Sequence, residues 1–560
     1  MYSKHLMATN NSSQSIEKPE PAEQLALPVL FVLGLLLYLP GLGSYGPLDP
    51  TDSFFIEGAR ELFETNQYLL PMFNYQVWLD KPILYFWLVA GCYKLFGVSA
   101  FVGRLVSAGS AILTGLTIFL AARPALGYKQ AFVAALIFLT FPLVSVIGHE
   151  SLTDMTLTLL MSGALLGFFN YIRRQDQTVI VAAYLCLALA FLCKGPVAVV
   201  IVGLIVLLQL ACTTDYEGPW PFVKNLMSRA MALRPWLGLL IMLLVNLPWY
   251  GAATYYTQGE FFKAFFITQN FGRMVGKVNH LEPFWYYIPV LIGGLFPLNL
   301  VLFSTPAVVL DAVKGRKLLT KTQGFAFFCL LWAVFVLALF EILKTKLATY
   351  ILPAMPPLAI LTSMSMAYLI KKDSVKHLWP GAVFFVLAGA GGLIAGALIK
   401  ASWVKVLLHE LQPILILTAF VGLLYLGLLL RKKAQAAFAL LLVSAAVGVG
   451  VCVPWGHMVF YREVHKPFEA MIMQVIADRA QIATVVTEEP SISYFLHRHI
   501  DVINTPQEAE KYLAEKGSGE NLGGKHYLLV PEKCLRDMEW FPPNPRQLAK
   551  IRKWTLFSVD

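Results

Sequence analysis

Long apolar runs, almost free of charge, alternate along this chain with short connections in which the acidic and basic residues gather. Fourteen apolar stretches stand out: 27–43, 82–97, 102–122, 130–148, 154–172, 178–193, 196–212, 235–251, 284–310, 324–341, 347–370, 379–399, 411–430 and 434–455. Most reach or approach the ~20 residues needed to cross a bilayer. Hydrocarbon offers no partner to an open backbone, so such segments must be helices. Residues 1–25 are polar and rich in Ser, Asn, Glu and Pro, which predicts a disordered tail. The first apolar run lacks a small-residue cleavage site and reads as a retained helix.

The basic residues set the orientation. Arg123 to Lys129, Arg173–Arg174, Arg229 to Arg234, Lys314 to Lys317, Lys371–Lys372 and Arg431 to Lys433 occupy every second connection, counted from 102–122. Lys and Arg mark the cytoplasmic side. The stretch 82–97 is short, aromatic and interrupted by Lys94, so it reads as a half-buried helix on the outer face. That leaves a cytoplasmic amino terminus and about thirteen spans within 26–455. The outer face then holds 44–101, His149 to Asp154, Lys194–Gly195, 252–283, Lys344 to Lys346, 400–410 and everything beyond 456. Residues 456–560 change character. Helical patterns at 466–481, 491–497 and 506–516 alternate with strand patterns at 482–488, 500–504 and 525–531, which predicts a small α/β domain outside the membrane. It carries no glycine-rich phosphate loop.

Composition agrees with an α-helical polytopic membrane protein. Charged residues are 14% of the chain, against roughly a quarter in soluble domains. The net charge of +10 is mostly juxtamembrane Lys and Arg, so no nucleic-acid face is needed to explain it. The seven cysteines show no disulfide framework or zinc spacing.

Candidate chemistry lies on the inferred outer face. Asp49 and Asp52 precede a helical pattern running to about Glu64. One of them as a helix cap is the plain reading; a carboxylate acting as base or electrostatic stabiliser is the functional one. Asp80–Lys81 stand before Pro82, a residue suited to the first helical position. His149, Glu150 and Asp154 cluster at one span end, and Lys194 ends another. Lys344, Lys346, Arg273, Lys277 and His280 add cations and ligand types. Each lysine alone could simply snorkel. Lys81, Lys194, Arg273, Lys344 and Lys346 together put five cations on one face, which suits an anionic lipid headgroup.

Seven motifs carry a family resemblance: DPTDSFFIEGARE (49–61), DKPILYFW (80–87), SLTDM (151–155), KGPVAV (194–199), NLPWY (246–250), PFWYYIPVLIGGLFP (283–297) and KTKLATYILPAMPPLA (344–359). In this order they resemble the bacterial lipid A aminoarabinose transferases, within the GT-C superfamily that includes protein O-mannosyltransferases. The resemblance implies a GT-C fold. It implies an inverting transfer of a monosaccharide, aminoarabinose or a related sugar, from a polyprenyl-phosphate donor. The acceptor would be lipid A or another glycolipid or glycan, at the outer face of a bacterial cytoplasmic membrane, and the chain would act as a monomer. The lipid phosphate would be the leaving group, stabilised by the cations and by Tyr350. Asp154 matches the family's second acidic position and Asp80–Lys81 its Glu-Lys pair. Thr51–Asp52 stand where the family shows Asp-Glu, and Phe54–Phe55 where it shows Arg-Tyr. The catalytic carboxylate is therefore expected to be Asp52, with Asp49 and Asp154 beside it, and His149, Glu150 and Asp80 in support. A family histidine associated with metal aligns with Asn270, which leaves a divalent cation an open question. A transporter or flippase is the alternative. It would place ionisable groups or broken helices near the midplane, whereas here charge sits at one rim. A non-enzymatic lipid-binding or assembly protein is a further rival, against which the paired carboxylates count only weakly.

The charge parity generates a topology prediction. After replacement of the native cysteines, single cysteines at Ser44 and Gly517 should react with an impermeant maleimide in intact cells. Reaction only after permeabilisation would reverse the orientation.

Overall fold

The fold was examined in a computed structural model, which describes residues 21–271, 282–302, 321–371, 402–478, 481–485, 489–505, 526–532, 546–551 and 554–558, with a few single positions between. The membrane part begins with α1 (Pro21–Tyr38). The first outer loop follows, with α2 (Thr51–Thr65), a hairpin of β1 (Met72–Phe73) and β2 (Gln76–Val77), and α3 (Leu84–Phe96). Next come α4 (Ala100–Leu126), α5 (Tyr128–Leu139), α6 (Pro142–Gly148), α7 (Thr153–Arg174), α8 (Gln177–Lys194) and α9 (Pro196–Cys212). The chain continues through α10 (Pro219–Ala232), α11 (Pro235–Tyr256), and α12 (Glu260–Phe262) running into a π-helical stretch, Lys263–Phe271. Beyond it lie α13 (Tyr287–Gly294), α14 (Asn299–Leu302), α15 (Lys321–Ile342), a 3-10 turn (Ala348–Ala354) and α16 (Met355–Lys371). Last come α17 (Ser402–Leu430) and a 44-residue rod, α18 (Ala434–Ala477).

Among the described residues nine helices are long and apolar enough to cross a membrane, or ten if a bent pair counts as one span. The thirteen expected from the pattern are thus not all present as single straight helices. The run 130–148 is α5 and α6, bent by 61° where Pro142 begins the second piece. Proline lacks the N–H and its ring clashes with the preceding turn. The stretch 82–97 forms the 13-residue α3, about 20 Å long and too short to span. Most of 379–399 lies outside the described residues. The run 434–455 does not stop at the membrane; α18 continues through it to Ala477, with π-helical turns at Gly448–Cys452 and Tyr461–His465.

Two helices form the centre of the bundle. Of the apolar window of Ala348–Lys371, 89% is buried inside the protein, and of α7, 72%, against 28% for α11. Small residues let the inner helices close. On α4, Ser107, Ala108, Ala111, Thr114 and Gly115 are buried, and Ser110 Oγ meets Thr156 Oγ1 of α7 at 2.9 Å. In lipid, close backbone approach and such hydrogen bonds take over part of the work that water exclusion does in soluble bundles.

The carboxyl-terminal sheet has strand order β4-β3-β5-β7-β6: β3 (Gln481–Val485), β4 (Asp501–Ile503), β5 (His526–Pro531), β6 (Arg546–Ile551) and β7 (Trp554–Ser558). The β4-β3-β5 pairings are parallel and those of β7 antiparallel. The end of α18 (Phe468, Met471, Ile472, Val475) and Ile492 of α19 (Pro490–Leu496) cover one face, over Ile482, Tyr527, Leu529, Trp554 and Leu556. Ala483, Val485, Leu528, Val530 and Phe557 alternate onto the other. Strands β6 and β7 were not anticipated. The expected helix 506–516 falls almost wholly outside the described residues.

The first outer loop and this domain are bonded together. Asn74 Nδ2 donates to the Ile500 carbonyl and Asn74 Oδ1 accepts the Ile500 N–H, each at 2.8 Å. Asn74 and Tyr75, with φ of 53° and 58°, form the β1–β2 turn, whose positive dihedrals asparagine tolerates well. Arg60 is buried beside Glu57 and Glu64, its Nη1 3.0 Å from His497 Nδ1. Burial, then the nearby Glu57 charge, pushes the Glu61 carboxyl up to about 9. An unfolded carboxyl releases its proton near 4.5. Through that window the folded state binds more protons than the unfolded one, so stability falls as pH rises. Glu61→Gln should therefore gain melting temperature relative to wild type as pH goes from about 5.5 to 8.5. An unchanged difference across that range would overturn the assignment.

Candidate functional site

A buried ion pair holds the first outer loop in place. Arg104, in the second turn of α4, and Asp52, in the first turn of α2, are 0% and 1% exposed. Arg104 Nη2 lies 2.6 Å from Asp52 Oδ2, and Nε lies 3.2 Å from Oδ1. The guanidinium has five N–H donors, and the other three reach backbone carbonyls: Leu42 at 2.7 Å, Tyr45 at 3.0 Å and Gly46 at 2.7 Å. The Tyr45 ring lies 3.9 Å over it. Asp52 in turn accepts the Leu48 N–H at 2.9 Å and the Ser151 N–H at 2.6 Å. The carboxylate expected as base or electrostatic stabiliser at Asp52 is sealed against Arg104. It does not cap α2 either: no side chain caps that helix.

The ion pair fixes where α7 begins. Ser151 is held by Asp52, and its Oγ donates to the Gly103 carbonyl at 2.9 Å. A Cβ on Gly103 would meet Ile56 at 2.8 Å and Tyr93 Oη at 2.7 Å, so only glycine allows this approach. Ser107 Oγ accepts the Leu152 N–H at 3.1 Å. Asp154 follows two residues later and is 8% exposed.

Around Asp154 the structure gathers a second polar group. Lys194 Nζ donates to Asp154 Oδ1 at 2.8 Å and lies 5.4 Å from the centre of the Tyr350 ring. Lys194 stands at this depth because α8 reverses into α9 through Gly195, with φ of 91°, followed by Pro196. Lys346 Nζ bonds the Glu341 carbonyl, with Glu341 Oε1 at 3.5 Å, and lies 5.9 Å from the Tyr287 ring. Tyr287 Oη donates to the Leu347 carbonyl at 3.2 Å. Lys194 and Tyr350 thus stand beside Asp154, and Lys346 with Tyr287 forms a second ammonium–ring pair just before the 3-10 turn that carries Tyr350. Aromatic rings beside two ammonium groups make a site that can hold an anion against an apolar wall.

The other expected residues lie elsewhere. Asp49 accepts the Ser491 N–H at 3.0 Å, also bonds the Ser491 and Ser53 hydroxyls, and has His465 at 4.0 Å. It sits under the α/β domain. Asp80 accepts Gln269 Nε2 at 2.6 Å. Lys81 is half-buried and Lys344 exposed. His149 and Glu150 face α18: Glu150 Oε1 is 3.3 Å from His457 Nε2, and His149 stacks on Tyr38 and His457. Arg273, Lys277 and His280 lie outside the described residues. Among the described residues no group of three or more His, Cys, Asp or Glu is gathered as a metal site. A single carboxylate at Asp80, one of whose two oxygens accepts the Gln269 amide, is a sparse donor set for a divalent cation.

Sequence reasoning missed Arg104, Tyr287 and the Glu57–Arg60–Glu61 cluster. Arg104 carried a signal: it is a lone charge in the apolar run 102–122, and a charge there needs a partner.

Residues 80–250 match the family model described as dolichyl-phosphate-mannose-protein mannosyltransferase. An undecaprenyl phosphate-alpha-4-amino-4-deoxy-L-arabinose arabinosyl transferase of Edwardsiella ictaluri is 31% identical over 384 residues, 67% of this chain and 65% of that protein. The namesake from Pectobacterium atrosepticum is 27% identical over 485 residues, covering 82% of both. The first of these alignments thus spans slightly under two thirds of the relative. The fold is similar to that of ArnT from Cupriavidus metallidurans bound to undecaprenyl phosphate, with a TM-score of 0.78 at 20% identity, over 96% of this chain and 98% of that one.

The ion pair generates a stability prediction. Arg104→Met keeps most of the volume but strands Asp52 and three buried carbonyls, and breaking such a pair costs about 3–5 kcal/mol. Folded yield and melting temperature in detergent should drop sharply, with Arg104→Lys intermediate, since an ammonium has only three donors. A methionine variant that melts like wild type would remove the pair from its supporting role.

Proposed function

We propose that this chain, a lipid A aminoarabinose transferase-like member of the GT-C superfamily, transfers a monosaccharide from a polyprenyl-phosphate donor to a lipid A-type glycolipid acceptor. The reaction runs at the outer face of a bacterial cytoplasmic membrane, without a nucleotide. The observation that carries this reading is the Lys194–Asp154 pair beside Tyr350, with Lys346 and Tyr287 completing the group.

The donor's phosphate enters between Lys194 and Lys346, and its isoprenoid chain lies along the apolar wall. An acceptor oxygen attacks the anomeric carbon from the face opposite the phosphate. The carbon–oxygen bond to the phosphate breaks, its electron pair leaves with the polyprenyl phosphate, and configuration inverts. Negative charge grows on the phosphate oxygens as that bond stretches, and the two ammonium groups are positioned to stabilise it. When the phosphate engages Lys194, Asp154 loses part of its partner. Its carboxylate is then available to orient the acceptor and take its proton. Asp52 acts at one remove, through the loop that positions Asp154. No step is assigned to a metal.

Charged hydrogen bonds are worth about 1.5–3 kcal/mol, so Lys194→Met and Lys346→Met should each lower donor affinity or turnover by roughly one to two orders of magnitude. Asp154→Asn should keep donor binding and lose transfer. The measurement is polyprenyl-phosphate binding and transfer rate in one detergent. Lysine variants that bind and transfer like wild type would reduce these residues to interfacial anchors.

A further inference from the structure

Helix α10 belongs neither to the outer polar rim nor to the packed core: none of its fourteen residues is buried. Its surface divides into three faces. Trp220, Val223, Met227 and Met231 are 78%, 49%, 54% and 47% exposed. At about 100° per residue their spacing keeps all four within an arc of about 80°. Leu226 and Ala230, on the next face, pack against the membrane core. Lys224, Asn225 and Ser228 form an exposed polar face. The orientation is pinned by Arg229, whose Nη1 donates to Thr214 Oγ1 at 2.8 Å and to the Leu210 carbonyl at 3.1 Å, and whose Nη2 donates to Thr213 Oγ1 at 2.9 Å.

We propose that α10 is an interfacial helix, lying in the headgroup region of the leaflet where α9 ends and α11 begins, with the Trp220–Met231 stripe inserted at the acyl boundary. What covers the stripe follows from its continuity with the spans on either side. α9 exposes Val200, Leu204, Leu207 and Leu208, and α11 exposes Leu239, Leu240, Leu243, Leu244 and Leu247. The stripe extends that apolar surface into the connection between them. Trp236, 74% exposed, and Tyr216, 72% exposed, flank it with the amphipathic rings favoured at a membrane–water boundary. Asp215 and Glu217 offset much of the positive charge of Lys224, Arg229 and Arg234. Apolar insertion therefore leads, and the helix does not depend on anionic lipid. It holds the α9–α11 pair at a fixed depth.

The test uses the full chain in nanodiscs of phosphatidylethanolamine and phosphatidylglycerol. Spin labels on single cysteines at 220, 223, 227 and 231 should be relaxed by oxygen, and those at 225 and 228 by a water-soluble nickel chelate. The unmutated chain supplies a second readout. Met473 on α18 is 46% exposed, much like Met227 and Met231. Peroxide should oxidise Met227 and Met231 about tenfold more slowly than Met473 in the bilayer, the ratio that ~1.4 kcal/mol represents. Equal nickel access at all six labels, with equal oxidation of the three methionines, would put the stripe in water. Shielding of the stripe from both relaxants would mean a protein, or a second copy of this chain, covers it. Either result overturns the proposal.

Discussion

Everything on the outer side of this protein hangs from the Arg104–Asp52 ion pair. A guanidinium and a carboxylate removed from water each lose several kcal/mol of hydration. That loss is tolerable only if every donor and lone pair finds a partner. Here all five guanidinium N–H groups are used, and the carboxylate takes two further backbone amides. The pair therefore dictates the path of residues 42–48 and the position of Ser151. An apolar replacement could hold neither, because the carbonyls of Leu42, Tyr45 and Gly46 would be left buried and unbonded.

Two consequences spread from that centre. Toward the bundle, Ser151 sets the start of α7, and so the placement of Asp154 against Lys194. Outward, Asp49 just before α2, Arg60 on α2 and Asn74 of the hairpin face the α/β domain, which bonds to all three. The continuous rod α18 joins that domain to the membrane a second time, through covalent chain. A domain held both by a rigid helix and by three polar contacts roofs the first outer loop. The His497 contact with Arg60 is the more exposed of these and the pair of Asn74 bonds the more buried.

Much of this was legible in the residues because membranes simplify the problem. Apolar run length gave the helices, basic parity gave an orientation, and the alternating pattern after 456 gave the sheet's first three strands. What escaped had physical reasons. Run length could not show that Pro142 bends one span, nor that α18 passes the membrane boundary unbroken, since both depend on packing. Asp52 was recognised as important, but its partner was not: a carboxylate beside a helix start looks the same in sequence whether it faces solvent or a buried arginine 52 positions away. Arg104 was visible as a lone charge in an apolar run, and pairing it with an acid near an adjoining span end would have found the interaction. Lys194, Lys346, Tyr350 and Asp154 were each identifiable. The contacts of Lys194 with Asp154 and Tyr350, and of Lys346 with Tyr287, join separate segments, which spacing cannot bring together.

The most direct test of the central claim is the position of a bound polyprenyl phosphate in a cryo-EM map of the full chain in nanodiscs. The account places the phosphate within hydrogen-bonding reach of both Lys194 Nζ and Lys346 Nζ, with the isoprenoid chain along the bundle and the Asp154–Lys194 contact opened or shared with the phosphate. A phosphate bound away from both lysines, with the Asp154–Lys194 pair unchanged, would contradict it.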